Sequence, residues 1–254
     1  MITLRIYGQT DTGKVRNNNQ DSFRIIDIGR LTLGVVCDGM GGAAGGSTAS
    51  NTACDEFANK VRELITYSDK ESTYEAALKT AVDFANSKVY AMANSDKELE
   101  GMGTTLCAVL TDGKKLWAVS VGDSRIYMFK GEDTFRISHD HSYVQTLVDS
   151  GAITEEESRN HPNKNIITRA VGTQSTIECD SFVMDFTADA ILLCSDGLSN
   201  YASDSELNEI FRQYFDKEDE LCSALIKHAN NGGGSDNITA LILIADGKDS
   251  AEKN

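Results

Sequence analysis

The sequence predicts an α+β fold in which antiparallel sheets pack on each other with helices outside. Three observations predict it. Apolar or alternating segments bounded by turn residues come in series, not in strict alternation with helices. A long helical periodicity separates the first series from the second. One proline in 254 residues, with no Pro/Gly/Ser-rich linker, predicts a single domain over 1–245.

The first strands are expected at 2–8, 22–28 and 31–37, each closed by glycine, asparagine or aspartate. Two helices follow, at 46–66 and 72–94. In the second, Tyr74, Ala77, Leu78, Ala81, Val82, Ala85, Val89 and Met92 share one face. Ser72 with Glu75 three residues later reads as a capping box at its start. Strands resume at 104–111, 116–121 and 124–130, then at 178–186, 190–195 and 237–244, with helices at 204–215 and 217–230. The stretch 139–172 is polar, carries two short helical patterns and interrupts the strand series, so it reads as a lid or docking element over the sheets. The tail 246–254, DGKDSAEKN without its apolar neighbours, reads as disordered.

Composition narrows the function classes. With 39 acidic against 24 basic residues the net charge is −15, a field that repels nucleic acid and anionic membranes and suits divalent cations. Six cysteines, at 37, 54, 107, 179, 194 and 222, form no CxxC pair and mostly lie in apolar runs, as expected of reduced, buried thiols. None precedes an arginine by six positions, so the loop of cysteine phosphatases is absent. Neither a signal peptide nor an apolar run long enough for a membrane span is read, and a cytoplasmic location is expected. Trp117 reads as core, His228 as helix surface, and His139 and His161 as surface residues in or beside the 139–172 segment.

Two glycine-rich stretches resemble nucleotide loops and fail on their surroundings. In GQTDTGKV the residue after Lys14 is Val15, where a nucleotide loop needs a hydroxyl for Mg²⁺, and Asn17, Asn18 and Asn19 then favour a turn over a helix. GMGGAA at 39–44 follows a strand, but the next expected strand is some sixty residues away, which leaves no βαβ unit around it.

The chemistry sits in four aspartates. Asp38 in VVCDGMGG, Asp123 in SVGDSR and Asp196 in LLCSDG each follow an apolar strand, and Asp236 in GGGSDNIT precedes one. Any one of them is an ordinary turn residue. Together, at the ends of rigid strands, they are hard oxygen ligands suited to Mg²⁺ or Mn²⁺, and no His/Cys cluster competes for a softer ion.

In order along the chain, DTGKVRNNNQDSF, VCDGMGG, GMGTTL, VGDSRIYMF, LLCSDGL and SDNITALIL resemble the metal-dependent protein serine/threonine phosphatases of the protein phosphatase 2C family. The resemblance covers about 1–245, and 139–172 is similar to the flap of bacterial members. It implies a four-layer αββα sandwich of two antiparallel sheets flanked by helices. It also implies two divalent cations, Mg²⁺ or Mn²⁺, with a third, weaker site. Asp38 would bridge the pair, the Gly39 carbonyl would bind the second ion, and Asp196 with Asp236 would complete the first site. Asp123, with Asp196, would hold the third ion. Arg16 would grip the substrate phosphate, and Asp21 and Asn237 would support the site from behind the ligands. The implied activity is hydrolysis of phosphoserine and phosphothreonine in proteins by a metal-activated water, without a covalent phosphoenzyme. The partners would be phosphoproteins, opposed by a Ser/Thr kinase, with no nucleic acid or membrane and with the enzyme a monomer. A non-catalytic module on the same fold would have lost ligand aspartates, and none is lost. A regulatory phosphatase dedicated to one phosphoprotein is the alternative within the family. Two positions depart from the wider pattern: Met40 replaces a histidine of eukaryotic members, and Gln20 stands where many carry Glu, which implies weaker binding of the second ion.

Overall fold

The computed structural model describes residues 3–68 and 70–246. Strands β1 (Thr3–Asp11), β2 (Asp21–Ile28) and β3 (Leu31–Met40) lead into helices α1 (Gly42–Tyr67) and α2 (Tyr74–Ser95). Then come β4 (Gly103–Thr104), β5 (Leu106–Thr111), β6 (Lys115–Val121), β7 (Arg125–Lys130) and β8 (Asp133–Arg136). Helices α3 (Tyr143–Asp149) and α4 (Glu155–Arg159) precede β9 (Asp180–Asp185) and β10 (Ala190–Cys194). The chain closes with α5 (Asp196–Ser199), α6 (Asp204–Tyr214), α7 (Glu218–Gly232) and β11 (Ile238–Asp246).

The strands form two antiparallel sheets, ordered β1-β11-β10-β7-β8 and β2-β3-β5-β6-β9, with β4 paired to the end of β3. Three apolar clusters separate four layers. Helices α1 and α2 pack on the second sheet through Leu33, Val35, Phe57, Leu78 and Val119. Helices α6 and α7 pack on the first through Leu192, Phe211, Leu225 and Ile242. Between the sheets lie Val36, Val109, Ile191, Leu241 and Leu243. Central strands are therefore covered on both faces, which is why β5 and β10 are buried throughout and read as solid apolar runs. Within β11 the alternation still shows: Ile238, Ala240, Ile242 and Ile244 face the helices, while Leu241, Leu243 and Ala245 face the other sheet.

The expected fold class and element order hold, with local corrections. The Ser72–Glu75 capping box does not form. Residues Glu71–Thr73 make a short 3₁₀ turn, Thr73 stands at the helix start with no side-chain cap, and Glu75 instead accepts from Ser181 on β9 and pairs with Lys79, each at 2.8 Å. A tertiary partner has outcompeted the local one. Capping boxes do form at Thr154–Glu157 and Ser203–Glu206. Strand β8, DTFR, was not expected; it is a short, polar edge strand with no apolar signal. Helix α1 begins at Gly42, four residues earlier than its glycine-poor part suggests. Trp117 is core, edge-on to Tyr74 at 5.0 Å. His228 is on α7, partly exposed as a helix-surface residue, with Nε2 3.0 Å from the Tyr201 carbonyl. Of the 246–254 tail, Asp246 ends β11 and the rest lies outside the described residues.

Glycine sets how closely the layers meet. A Cβ on Gly34 of β3 would come within 2.9 Å of Leu241 Cδ2 on the opposite sheet. Gly34→Val should overpack this interface and lower stability by about 1–3 kcal/mol, read as an earlier urea midpoint with an unchanged slope.

Candidate active site

The four aspartates come from both sheets. Asp38 is near the end of β3, Asp123 is in the turn from β6 to β7, Asp196 opens α5 directly after β10, and Asp236 stands two residues before β11. Since β6 and β7 belong to different sheets, the Asp123 turn crosses the sandwich at the same end. All four line one cavity of about 390 Å³, together with Arg16, Gly39 and Asn237. Residues 160 positions and more apart in sequence thus share one wall.

Neighbours that the motifs already contain hold the Asp38 backbone and the Asp196 and Asp21 carboxylates. The Asp38 backbone N–H donates to Thr105 Oγ1 at 2.9 Å, and its carbonyl accepts from Thr105 N–H at 2.9 Å and Thr104 Oγ1 at 2.8 Å. Asp196 Oδ2 accepts from Asn200 Nδ2 at 3.0 Å, while its Oδ1 is buried without a hydrogen-bond partner. Asp21, opposite Asp38 in the β2–β3 register, accepts from Ser195 Oγ at 2.7 Å and Thr239 Oγ1 at 2.6 Å through one oxygen; the other is buried and unpartnered. Asp21 therefore ties β2 of one sheet to the ends of β10 and β11 in the other.

Arg16 sits at the rim, half-exposed, with Nη2 donating to Asp236 Oδ2 at 2.8 Å. Its loop is clamped by buried Asn237, whose Nδ2 donates to the carbonyls of Thr12 at 3.0 Å and Asn18 at 2.9 Å, and whose Oδ1 accepts from Gln20 N–H at 2.8 Å. Lys14 is tied through its backbone to the Gly234 carbonyl at 2.7 Å, and no helix opens after Gly13, so the nucleotide-loop pattern has no structural counterpart. Gln20 lines the cavity, but its amide donates to the Gly42 carbonyl at 2.8 Å, a bond that a Glu carboxylate has no proton to make. A Cβ on Gly46 would collide with that amide, and one on Gly39 would collide with the Gly46 carbonyl, so both glycines serve close approach of α1 to the strand end.

The electrostatics are those of crowded anions. Burial, then Asp21, Asp196, Asp123 and Asp236, push the Asp38 carboxyl well above the usual carboxylate range. Burial and then Asp196 do the same to Asp123, and burial with Asp236 raises Asp196. Burial carries Asp21 from 3.8 to about 6 against the hydrogen bonds of Thr239 and Ser195. Among the described residues no three Asp, Glu, His or Cys side chains meet at complete metal-site spacing; the carboxylates ring the cavity, and Arg16 holds one of them. The donor set nevertheless fits hard divalent cations. It is all oxygen, an Asp196 oxygen is buried without a partner, and neither His nor Cys lines the cavity.

Sequence reasoning named the aspartates but assigned no role to the hydroxyls behind them, Thr104, Thr105, Ser195 and Thr239. Their signal was adjacency: each stands one to three residues from a ligand candidate or from its partner strand. Asn165 and Ile167 of the 139–172 segment also line the cavity; the bridge Ser142–Ile167 joins the segment's two limbs, and Thr104–Val171 ties its far end to β4. His139 pairs with Asp149 at 3.0 Å and His161 lies against Tyr143, as surface readings imply.

Known proteins resemble this chain in sequence and fold. Residues 12–224 match the family model described as protein phosphatase 2C. The serine/threonine phosphatase Stp of Listeria innocua is 35% identical over 237 residues, 92% of this chain and 93% of that protein. Stp1 from Staphylococcus aureus superposes with a TM-score of 0.88 at 32% identity, covering 97% of this chain and 96% of that one. The PstP catalytic domain, solved with two manganese ions, gives 0.84 at 34% identity over 96% and 99% of the two chains. The chain belongs to the protein phosphatase 2C family. Its enzyme class is protein serine/threonine phosphatase, and divalent-metal dependence is general to that family.

A prediction follows from the carboxyl shifts. Every shifted site aspartate is raised in the fold, so the folded chain binds more protons than the unfolded one. Stability without divalent ions is then fullest below about pH 4 for these groups and falls as pH rises through their folded values. For Asp21 the window runs from 3.8 to about 6, and the loss is on the order of 2–3 kcal/mol. Melting curves in EDTA should drop across that window, and Mn²⁺ at neutral pH should raise Tm more than Mn²⁺ at pH 4.

Proposed function

We propose that this chain hydrolyses phosphoserine and phosphothreonine in proteins at the aspartate-lined cavity, opposing a Ser/Thr protein kinase. The observation that carries this reading is the meeting of Asp38, Asp123, Asp196 and Asp236, from four strand ends, in one cavity with Arg16 at its rim. Asp38, the Gly39 carbonyl, Asp196 and Asp236 would hold two divalent cations, Mg²⁺ or Mn²⁺, and Asp123 with Asp196 a third. Bound there, such cations lower the pKa of water to supply the nucleophile and neutralise charge on an in-line phosphoryl displacement.

The chain's own groups then have distinct work. Arg16 turns from Asp236 to the substrate phosphate, where its planar fork donates two parallel hydrogen bonds. Asn237 keeps the Arg16 loop in register with β11, and Asp21 keeps the two sheet ends together. No cysteine lines the cavity and all six are free, in keeping with direct hydrolysis and with a reducing, cytoplasmic setting. Met40 lines the cavity and has no proton to give the leaving alkoxide. Residues 1–245 would form one catalytic domain, monomeric, with 139–172 as a flap over the site. The net charge of −15 supports the absence of nucleic-acid and membrane partners. Among the described residues no helix is long and apolar enough to cross a membrane.

With p-nitrophenyl phosphate and Mn²⁺, Asp38→Ala, Asp196→Ala and Asp236→Ala should each lower kcat by on the order of 1,000-fold. Arg16→Ala should chiefly raise KM, by roughly tenfold. Exhaustive chelation should abolish turnover. Near-normal turnover of Asp38→Ala would remove the site assignment.

A further inference from the structure

The buried histidine of the chain is His141, in the segment joining β8 to α3, and it is 7% exposed. Its ring and backbone both grasp the turn that carries Asp123. Gly122 N–H donates to His141 Nδ1 at 3.0 Å, and His141 N–H donates to the Gly122 carbonyl at 2.9 Å. The His141 carbonyl accepts from Thr168 N–H at 2.8 Å, on the returning limb of the 139–172 segment. On the far side of the ring, Nε2 lies 3.3 Å from both Asp180 Oδ2, at the start of β9, and Arg169 Nη1, which also reaches Asp180 Oδ1 at 3.4 Å.

The Gly122 amide sets the tautomer, and Arg169 then meets Nε2 as a packing neighbour while donating to Asp180. An amide N–H faces Nδ1, so Nδ1 accepts and the ring proton sits on Nε2, directed at Asp180. Burial lowers the His141 pKa below its usual value, which keeps this neutral form at pH 7. The turn that it holds has little slack. Gly122 has φ +96°, and a Cβ there would strike Thr105. Beyond Asp123, Ser124 Oγ shares a hydrogen bond of 2.7 Å with Thr105 Oγ1, the atom that accepts from Asp38 N–H. The Asp123 turn is therefore braced by Thr105 from the sheet and by His141 from the segment above it.

We propose that His141 is a positioning residue: its neutral ring holds the Gly122–Asp123 turn and so couples the aim of Asp123 to the seating of residues 139–172. This rests on the reading of Asp123 as a cation ligand. Groups one step behind a ligand commonly change activity or metal affinity by about 10–100-fold.

Two replacements separate positioning from mere filling in the full-length chain. His141→Asn keeps an acceptor near the Nδ1 position but does not reach Asp180; His141→Gln reaches towards Asp180 but offers no acceptor to Gly122. With p-nitrophenyl phosphate and Mn²⁺, His141→Gln should lower kcat about tenfold or more with KM changed less than about twofold, and His141→Asn should recover most of the loss. In an Asp123→Ala background, His141→Gln should cost nothing further. In the wild type, nuclear magnetic resonance should show a ¹⁵N–¹⁵N coupling across the hydrogen bond from the Gly122 amide to His141 Nδ1. A wild-type kcat in His141→Gln, a loss that multiplies that of Asp123→Ala, or absence of the coupling would each overturn the proposal. If Asp123→Ala itself turns over normally, the assignment of Asp123 falls, and this inference with it. Should His141→Gln not fold, His141→Asn and the wild-type coupling decide: loss of activity in the former at an unchanged Tm, or no coupling in the latter, goes against it.

Discussion

The structure depends on one unfavourable interaction, the mutual repulsion of aspartates gathered where two sheets end. Asp38 feels Asp21, Asp196, Asp123 and Asp236 at once, in a setting where burial already disfavours charge. A fold that tolerates this must be rigid enough to prevent the carboxylates from swinging apart. It also gains most from whatever supplies positive charge at their centre. Arg16 at the rim, paired with Asp236, offsets part of that excess of negative charge.

Rigidity comes from ties that cross the sandwich. Asp21 joins β2 to Ser195 and Thr239, Asn237 joins the Arg16 loop to β11, and Thr105 joins Asp38 to the turn of Asp123. None of these is a long, flexible side chain. Short polar groups lose little rotamer freedom when ordered, so the precision they impose costs little conformational entropy. The layers beneath are closely set, with Gly34 against Leu241 between the sheets and Gly39 against Gly46 at the mouth. Small residues there let rigid backbone, not side-chain tips, define the positions of the cavity aspartates.

The 139–172 segment joins this scheme from above. Its far end is bridged to β4 through Thr104–Val171 and its two limbs to each other through Ser142–Ile167, its Asn165 and Ile167 enter the cavity wall, and Arg136 and Arg125 converge on Asp140 at its root. His141 lies in that root with one nitrogen on the Asp123 turn. The cavity wall and the Asp123 turn are thus not separate parts of the molecule, since the same segment takes part in both.

Much of this was legible in the sequence. Solid apolar runs marked strands covered on both faces, period-3.6 patterning marked α2, and aspartates at strand ends with Gly or Asn beside them marked the site, because burial and turn chemistry act over a few neighbouring residues. Strand β8 was not legible, since an exposed edge strand needs no apolar pattern. Other features were decided only in three dimensions. Glu75 left its expected capping box for Ser181, 106 positions away; Gln20 turned its amide to Gly42; and His141, indistinguishable in sequence from the surface histidines, became the buried partner of Gly122. The physical reason is the same in each case. A side chain chooses among hydrogen-bond partners by what folding brings within about 3 Å, and partners separated by dozens or hundreds of residues leave no periodic trace in the chain.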